Sequence, residues 1–178
     1  MTSLWEAAEG DVPSVRSAVA ADVGAVAAVQ HRAWTTDYRE LLPPGLLADL
    51  TPDALAEQWR EAILTPPSPA HRVLVACAGS TVVGFAAVQG DGEIVAFWVD
   101  PAHQRRGHGS RLLAAVADTA RELGLAELST WCALPDEARR RFFDSAGFDT
   151  DGGLRDLDWD GQLLREAHLV AGLAADAT

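Results

Sequence analysis

The chain has 178 residues, of which 48% are hydrophobic and 22% are charged. These values are typical of one globular domain with a substantial core, and no apolar run approaches the ~20 residues that span a membrane. The formal net charge is −12, from 14 basic and 26 acidic residues, which argues against nucleic acid as the main partner because neutralising phosphates requires a basic face. We therefore expect neither a nucleic-acid nor a membrane partner.

The start of the chain is acidic and lacks the basic and apolar regions of a signal peptide. We interpret residues 14–172 as a single domain and residues 1–13 and 173–178 as tails. The only cysteines, Cys77 and Cys132, lie in apolar, strand-like stretches. A disulfide framework is not indicated, and the expected compartment is the cytoplasm.

The first quarter of the domain shows one strand followed by helices. Alternation over Val15–Val19 predicts a strand, and Asp22 is the predicted N-cap of a helix that ends near Trp34. A connector over Tyr38–Gly45 follows. Thr51, directly before a proline, is a typical start of a second helix, and a proline-dense loop comes after that helix.

The middle of the chain predicts three successive strands. Residues 72–78 and 81–88 form a hairpin pattern around a glycine-containing two-residue turn. An apolar run over 94–99 predicts a buried strand, which ends at Asp100–Pro101 because proline cannot donate to a sheet ladder.

A glycine-containing segment, Gln-Arg-Arg-Gly-His-Gly-Ser, separates this strand from a predicted helix. The apolar positions with helical spacing are Leu112, Leu113, Val116, Ala120 and Leu123. The glycines therefore lie where a strand turns into a helix. The first turn of a helix has unpaired N–H groups and a partial positive charge, and glycines allow a phosphate to approach the backbone. We expect a phosphate-binding loop here.

The last third of the chain predicts a strand over 127–132 and a helix that begins at Pro135–Asp136. Two further strands are expected, from Phe148 and over 165–171, with a turn-rich segment over 149–161 between them. The order is strand, two helices, three strands, helix, strand, helix and two strands. This order predicts a mixed α/β sheet with helices on both faces.

Two motifs resemble those of the GCN5-related N-acetyltransferase (GNAT) family. The first is similar to the family's acyl-CoA pyrophosphate loop and comprises Val99, Pro101, Gln104, Gly107 and Gly109. The second is similar to the family's C-terminal motif and comprises Ala138, Phe142, Phe143, Gly147 and Phe148. The resemblance covers about residues 15–171. It implies a single-domain, mixed, mostly antiparallel central sheet of about seven strands with helices on both faces.

The resemblance also implies an enzyme that transfers an acetyl group from acetyl-CoA, as co-substrate, to a small-molecule or peptide amine. The strand that ends at Val99 would hold the pantetheine arm through its backbone, at a point where the family's sheet splays. The implied cofactor-binding residues are Phe97, Trp98, Val99, Gln104, Arg105, Arg106, Gly107, His108, Gly109 and Ser110. A monomer and a homodimer both remain open.

Glu93 is the predicted general base. A lysine-like amine has a pKa near 10.4, so making it neutral at pH 7 costs ~4.6 kcal/mol, and a base must remove the proton directly or through water. Many family members carry a glutamate at this point of the strand. By the two-residue period of a strand, Glu93 would lie on the face of Phe97 and Val99. The alternative is a solvated glutamate at a strand end.

The resemblance fails at the general acid. The family commonly places a tyrosine where this chain has Phe143, and the asparagine often found eight residues earlier is matched by Pro135. Water is one candidate for protonating the thiolate, and the others are Cys132, Ser145 and His108, although Cys132 is expected to be a buried hydrophobe and His108 a solvent-facing loop residue. The alternative function is a non-catalytic acyl-CoA-binding or regulatory module on the same fold.

The connector after the first helix resembles the family segment that lines the acceptor pocket. We assign Trp34 and Tyr38 to substrate binding on that resemblance, with core packing as the alternative for Trp34. A dinucleotide-binding fingerprint is not supported, because Leu112 occupies the position of its third glycine, and the chain has no Gly-Lys-Ser/Thr loop.

Overall fold

A seven-stranded sheet forms the centre of the computed structural model, which describes residues 12–173. The strands are β1 (Pro13–Ser17), β2 (Arg72–Ala78), β3 (Thr81–Val88), β4 (Glu93–Val99), β5 (Glu127–Ala133), β6 (Asp149–Trp159) and β7 (Gln162–Gly172). Their order in the sheet is β1-β2-β3-β4-β5-β7-β6, and the β4–β5 pair alone is parallel. The predicted fold class is confirmed. Most of the predicted tails, including residues 1–11, lie outside the described residues.

Five α-helices cover the two faces of this sheet. They are α1 (Val23–Asp37), α2 (Pro44–Asp49), α3 (Pro52–Leu64), α4 (His108–Glu122) and α5 (Glu137–Ser145). The apolar side chains of α4 and α5 share one core with β2–β5 and β7, whereas those of α1 and α3 share a second core with β2–β4. Within the described chain, no helix combines the length and the apolar character that crossing a membrane requires.

Three details of the predicted elements are wrong. Helix α1 continues three residues past Trp34, and an unpredicted short helix, α2, begins at Pro44 near the end of the predicted connector. The segment over 149–161 is not mainly turn: it forms β6, and the turn to β7 is confined to Asp160–Gly161. The pairing of β6 with β7 shifts register between Thr150 and Leu154. This irregularity accommodates the two glycines that lie between these residues, so the glycines do not end the strand.

A bulge in β4 changes which side chains share a face. Ala87 of β3 pairs with Ala96, but the next residue of β3 pairs with Ile94, so Val95 is an extra residue in β4. As a result Ile94 and Phe97, three positions apart, both belong to the core under α4. The predicted common face of Glu93 and Phe97 is therefore wrong, because a bulge reverses the alternation of a strand.

The carboxylate of Asp22 connects the end of β1 to the start of α1. Both of its oxygens accept hydrogen bonds from Arg16, at 2.6 and 2.9 Å, and one also accepts from the Val19 N–H at 2.8 Å. Asp22 immediately precedes α1 as predicted, but its side chain makes no cap hydrogen bond to the helix. The Arg16 hydrogen bonds outweigh the effect of burial and hold the pKa of Asp22 below its ordinary value.

We expect Asp22→Asn to lower the free energy of unfolding at pH 7 by about 2 kcal/mol, since it removes charge-assisted hydrogen bonds from a buried group. A lowered folded-state pKa contributes stability that is present above the unfolded-state value, near 3.9, and is lost as the pH falls through the folded-state value. The difference between wild type and variant in urea unfolding should therefore shrink at acidic pH. Asp118→Asn, at an exposed residue paired with Arg121 at 2.9 Å, is the control and should change stability by less than about 1 kcal/mol. An Asp22 effect of equal size at both pH values would contradict the prediction.

Candidate functional site

A gap opens in the sheet between β4 and β5. The two strands pair only at Glu93 with Ser129 and at Ile94 with Thr130, and the Thr130 hydroxyl donates to the Ile94 carbonyl at 2.9 Å. The rest of β4 has no partner in β5, although its other edge pairs with β3 as far as Val99. A bulge increases the local twist of a strand, which fits this divergence. The gap exposes backbone groups of β4 that need hydrogen-bonding partners.

Arg139, in the first turn of α5, lies in this gap. Its Nη1 donates to the Phe97 carbonyl at 2.7 Å, and its guanidinium carbon is 4.7 Å from the centroid of Trp98 and 5.4 Å from that of Phe143. Arg139 was not among the residues predicted from the sequence. Its spacing in the sequence could have indicated it. Arg139 precedes Phe143 by four positions, and residues with this spacing lie on one face of a helix.

The predicted phosphate loop joins the open end of β4 to α4. Gly107 has a φ of +81° and directly precedes the helix, a left-handed conformation that favours glycine. Gly109 and Ser110 lie in the first helical turn, where N–H groups lack acceptors inside the helix. Gln104 donates to Asp37 at 2.8 Å and to the Val99 carbonyl at 3.3 Å, so its side chain ties the loop to α1 and β4.

The charge around this loop is positive, in contrast to the chain as a whole. Arg105, Arg106 and Arg111 are exposed, and none of them forms an ion pair within residues 12–173. The Arg111 side chain donates to the Arg106 carbonyl at 3.3 Å, which places it across the loop. Three cations and the positive end of α4 suit a phosphate-bearing ligand.

His108 does not have its predicted environment. It is the first residue of α4 and is 5% exposed, with its ring 6.3 Å from that of His103. The expectation of a solvent-facing loop residue is wrong, because α4 already begins at His108 and the side chain is buried. The ring is therefore part of the packing at the start of α4.

A cavity of about 460 Å³ opens beside the gap. Six aromatic side chains line it: Trp34, Tyr38, Trp59, Trp98, Trp131 and Trp159. Its charged lining residues are Glu93, Arg139, Arg155 and Glu166. A second cavity of similar volume lies between α3 and β2–β3 and includes no residue of the loop or of α5.

The structure brings together the three predicted residues of the reaction site. Glu93, Trp34 and Tyr38 all line the first cavity, so Trp34 is a cavity wall. Trp98 makes edge contacts with both aromatic residues, at centroid distances of 6.1 Å to Trp34 and 5.0 Å to Tyr38. Within the described part of the chain Glu93 forms no ion pair, whereas Glu166 accepts from Arg155 at 2.6 Å.

The predicted proton donors do not reach this cavity. Cys132, Ser145 and His108 are all absent from its lining. Cys132 is 1% exposed, and burial raises its pKa to about 11, so it is a neutral thiol at pH 7. Tyr38 donates to Asp136 at 2.8 Å, and burial raises its pKa far above its ordinary value, which makes the phenol a poor acid.

Comparisons with known proteins point to one family and one fold. The model of the acetyltransferase (GNAT) family matches residues 31–148. No curated protein sequence matches the chain significantly. Solved structures of the same fold include the PaiA N-acetyltransferase of Thermoplasma acidophilum in complex with coenzyme A, at 16% identity and a TM-score of 0.75, over 90% of this chain and 98% of that one.

Two more solved structures extend the similarity. The yncA putative acetyltransferase of Salmonella typhimurium, with its cofactor acetyl-CoA, is 20% identical with a TM-score of 0.68, over 93% of this chain and 96% of that one. The ribosomal-protein-S18-alanine N-acetyltransferase of Escherichia coli is 17% identical with a TM-score of 0.67, over 93% and 97% of the two chains. At these identities the structures show a shared fold.

Proposed function

Because the chain belongs to the acetyltransferase (GNAT) family, we propose that it transfers an acetyl group from acetyl-CoA to a primary amine by direct attack on the thioester. The observation that carries this proposal is the arrangement along β4. The glycine loop lies at its end, the gap lies beside it, and Glu93 lies at its start, on the wall of the aromatic cavity.

Acetyl-CoA would bind from the loop into the gap. The N–H groups of Gly109 and Ser110 and the side chains of Arg105 and Arg106 would contact the pyrophosphate. Each charge interaction at a helix terminus contributes about 0.3–1 kcal/mol. The pantetheine arm would pair with the open edge of β4 from Phe97 to Val99, as an added strand pairs with a sheet edge.

The amine would attack from the aromatic cavity. Its nitrogen bonds to the thioester carbonyl carbon, Glu93 takes the proton directly or through water, and the C–S bond breaks with its electron pair on sulfur. Direct attack is favoured over an acyl-enzyme because Cys132 is buried, neutral at pH 7 and outside the cavity lining.

The cavity wall favours an amine with an apolar or aromatic body. Six aromatic rings line the cavity. One of its two carboxylates, Glu166, is already bound to Arg155. Glu93 is thus the anion available to an ammonium group. Aromatic faces attract cations and bury apolar surface, and both effects act on an arylalkylamine.

We therefore expect kcat/KM for tryptamine and phenethylamine to exceed that for spermidine by about tenfold or more. Thiol release from acetyl-CoA measures this ratio. Trp159→Leu, which removes one aromatic side chain from the cavity wall, should reduce the preference. Equal kcat/KM values for spermidine and for the two arylalkylamines would contradict this acceptor assignment. That result would leave the proposal of acetyl transfer itself unaffected.

The proposed function is tested by incubating the protein with acetyl-CoA and a panel of amines while free thiol is followed. Amine-dependent thiol release is the expected result. The alternative, a non-catalytic acyl-CoA-binding module, is motivated by Phe143, which is fully buried and has no proton to donate. Tight binding of acetyl-CoA with no amine-dependent release across the panel would favour that module.

A further inference from the structure

The guanidinium of Arg139, at the open edge of β4, has N–H donors that form no hydrogen bond in the part of the chain that the structure describes. An arginine side chain carries five N–H donors, and the structure gives this one a single hydrogen bond, to the Phe97 carbonyl. No ion pair within the described residues involves it. The neighbouring carboxylate of Asp136 is already occupied, by the backbone N–H of Arg139 and by the hydroxyl of Tyr38. Arg139 is thus a half-buried cation whose remaining donors lack an anionic partner.

The position of Arg139 matches the expected path of the thioester. It lines the same cavity as Glu93, and its contact with Phe97 lies three residues beyond the last β4–β5 pair. A backbone carbonyl has two lone pairs, so Phe97 can accept from Arg139 and from a pantetheine amide together. The ring of Phe143, 5.4 Å away, offers no donor of its own.

We propose that Arg139 is a catalytic residue that binds the coenzyme A sulfur as the C–S bond breaks; this rests on the proposed function. The amine nitrogen bonds to the carbonyl carbon, the C–S electron pair stays on sulfur, and the amine proton passes to Glu93 or water. Arginine keeps its own protons, because a guanidinium is not deprotonated in proteins. Coenzyme A leaves as a thiolate held by charge-assisted hydrogen bonds and takes a proton from water on release.

The first test titrates the thiol of coenzyme A bound to the protein, by the ultraviolet absorbance of the thiolate. The chain has one tyrosine, whose pKa is raised by burial, so phenolate absorbance does not overlap with this signal. In the wild-type complex we expect a thiol pKa below the ~8.5 of a free thiol, and at least about one pH unit below that of the Arg139→Met complex. Arg139→Lys, which keeps the charge, should fall between the two.

Arg141→Met is the matched control. It removes the same charge from the same helix, at a side chain that is 73% exposed and pairs with Glu137 at 3.8 Å. This variant should leave the thiol pKa at the wild-type value. In turnover, Arg139→Met should lower kcat by about 10²-fold with a smaller change in the KM for acetyl-CoA.

Urea unfolding shows whether each variant is folded, calorimetry shows whether it binds coenzyme A, and Arg139→Gln replaces Arg139→Met if the latter does not fold or does not bind. Equal thiol pKa values in the wild-type and Arg139 variant complexes would overturn this inference alone. Absence of coenzyme A binding by the wild type would overturn the proposed function and this inference with it. A lowered thiol pKa that is lost in Arg139→Met and kept in Arg141→Met supports both.

Discussion

Gly107→Glu should reduce the affinity for acetyl-CoA by more than about 100-fold while the domain remains folded. The new carboxylate would stand on the loop, beside the helix terminus and the arginines that we expect to bind the pyrophosphate, and would repel it. A side chain at a φ of +81° costs about 1–2 kcal/mol, a modest part of the stability of a domain. Its Cβ would come within 2.9 Å of the Arg111 Nη1, the flexible end of a side chain that can move.

Two measurements check this expectation. Isothermal titration calorimetry gives the affinity, and urea unfolding gives the stability. Gly107→Ala is the matched control, because it has the same backbone strain without the charge or the bulk. It should lose as much stability as the glutamate variant but much less affinity. Unchanged affinity in Gly107→Glu would remove the assignment of this loop to the pyrophosphate.

Glu93→Gln should lower kcat/KM by about 10²–10⁴-fold at neutral pH, with a smaller loss at alkaline pH. The acceptor is largely protonated below its pKa near 10.4, so a base is needed most where the ammonium form predominates. As the pH rises toward that value, the free amine becomes available without help. The ratio of wild-type to variant rates should therefore decrease as the pH increases.

The measurement is a pH profile of kcat/KM for one amine, obtained from thiol release over a range of amine concentrations. Glu127→Gln is the control, since it makes the same change at the start of the adjacent strand β5, at an exposed residue outside the cavity. Its profile should follow that of the wild type. A Glu93→Gln ratio that is constant across the pH range would refute the assignment of this residue as the base.

Local sequence patterns were sufficient for the order of the strands and of the longer helices and for the glycine loop, but not for α2 or for the length of β6. The apolar run that ends at Asp100–Pro101 and the periodic apolar face from Leu112 are contiguous stretches, and each determines its own structure through burial and backbone stereochemistry. The left-handed Gly107 between them follows from the same short segment. Glu93, Trp34 and Tyr38 were identified by resemblance, and the structure places all three on one cavity. Their roles remain predictions.

The sequence by itself thus determined the order of the strands and of the longer helices and the position of the glycine loop between β4 and α4, because these properties arise among residues close together in the chain. Only the tertiary structure decided the extra residue at Val95, which depends on the register with β3, and the burial of His108. The same holds for the contact of Arg139 with the Phe97 carbonyl, which joins residues 42 positions apart across the gap in the sheet. Such contacts depend on how separate elements pack, and packing is not encoded in any one local pattern.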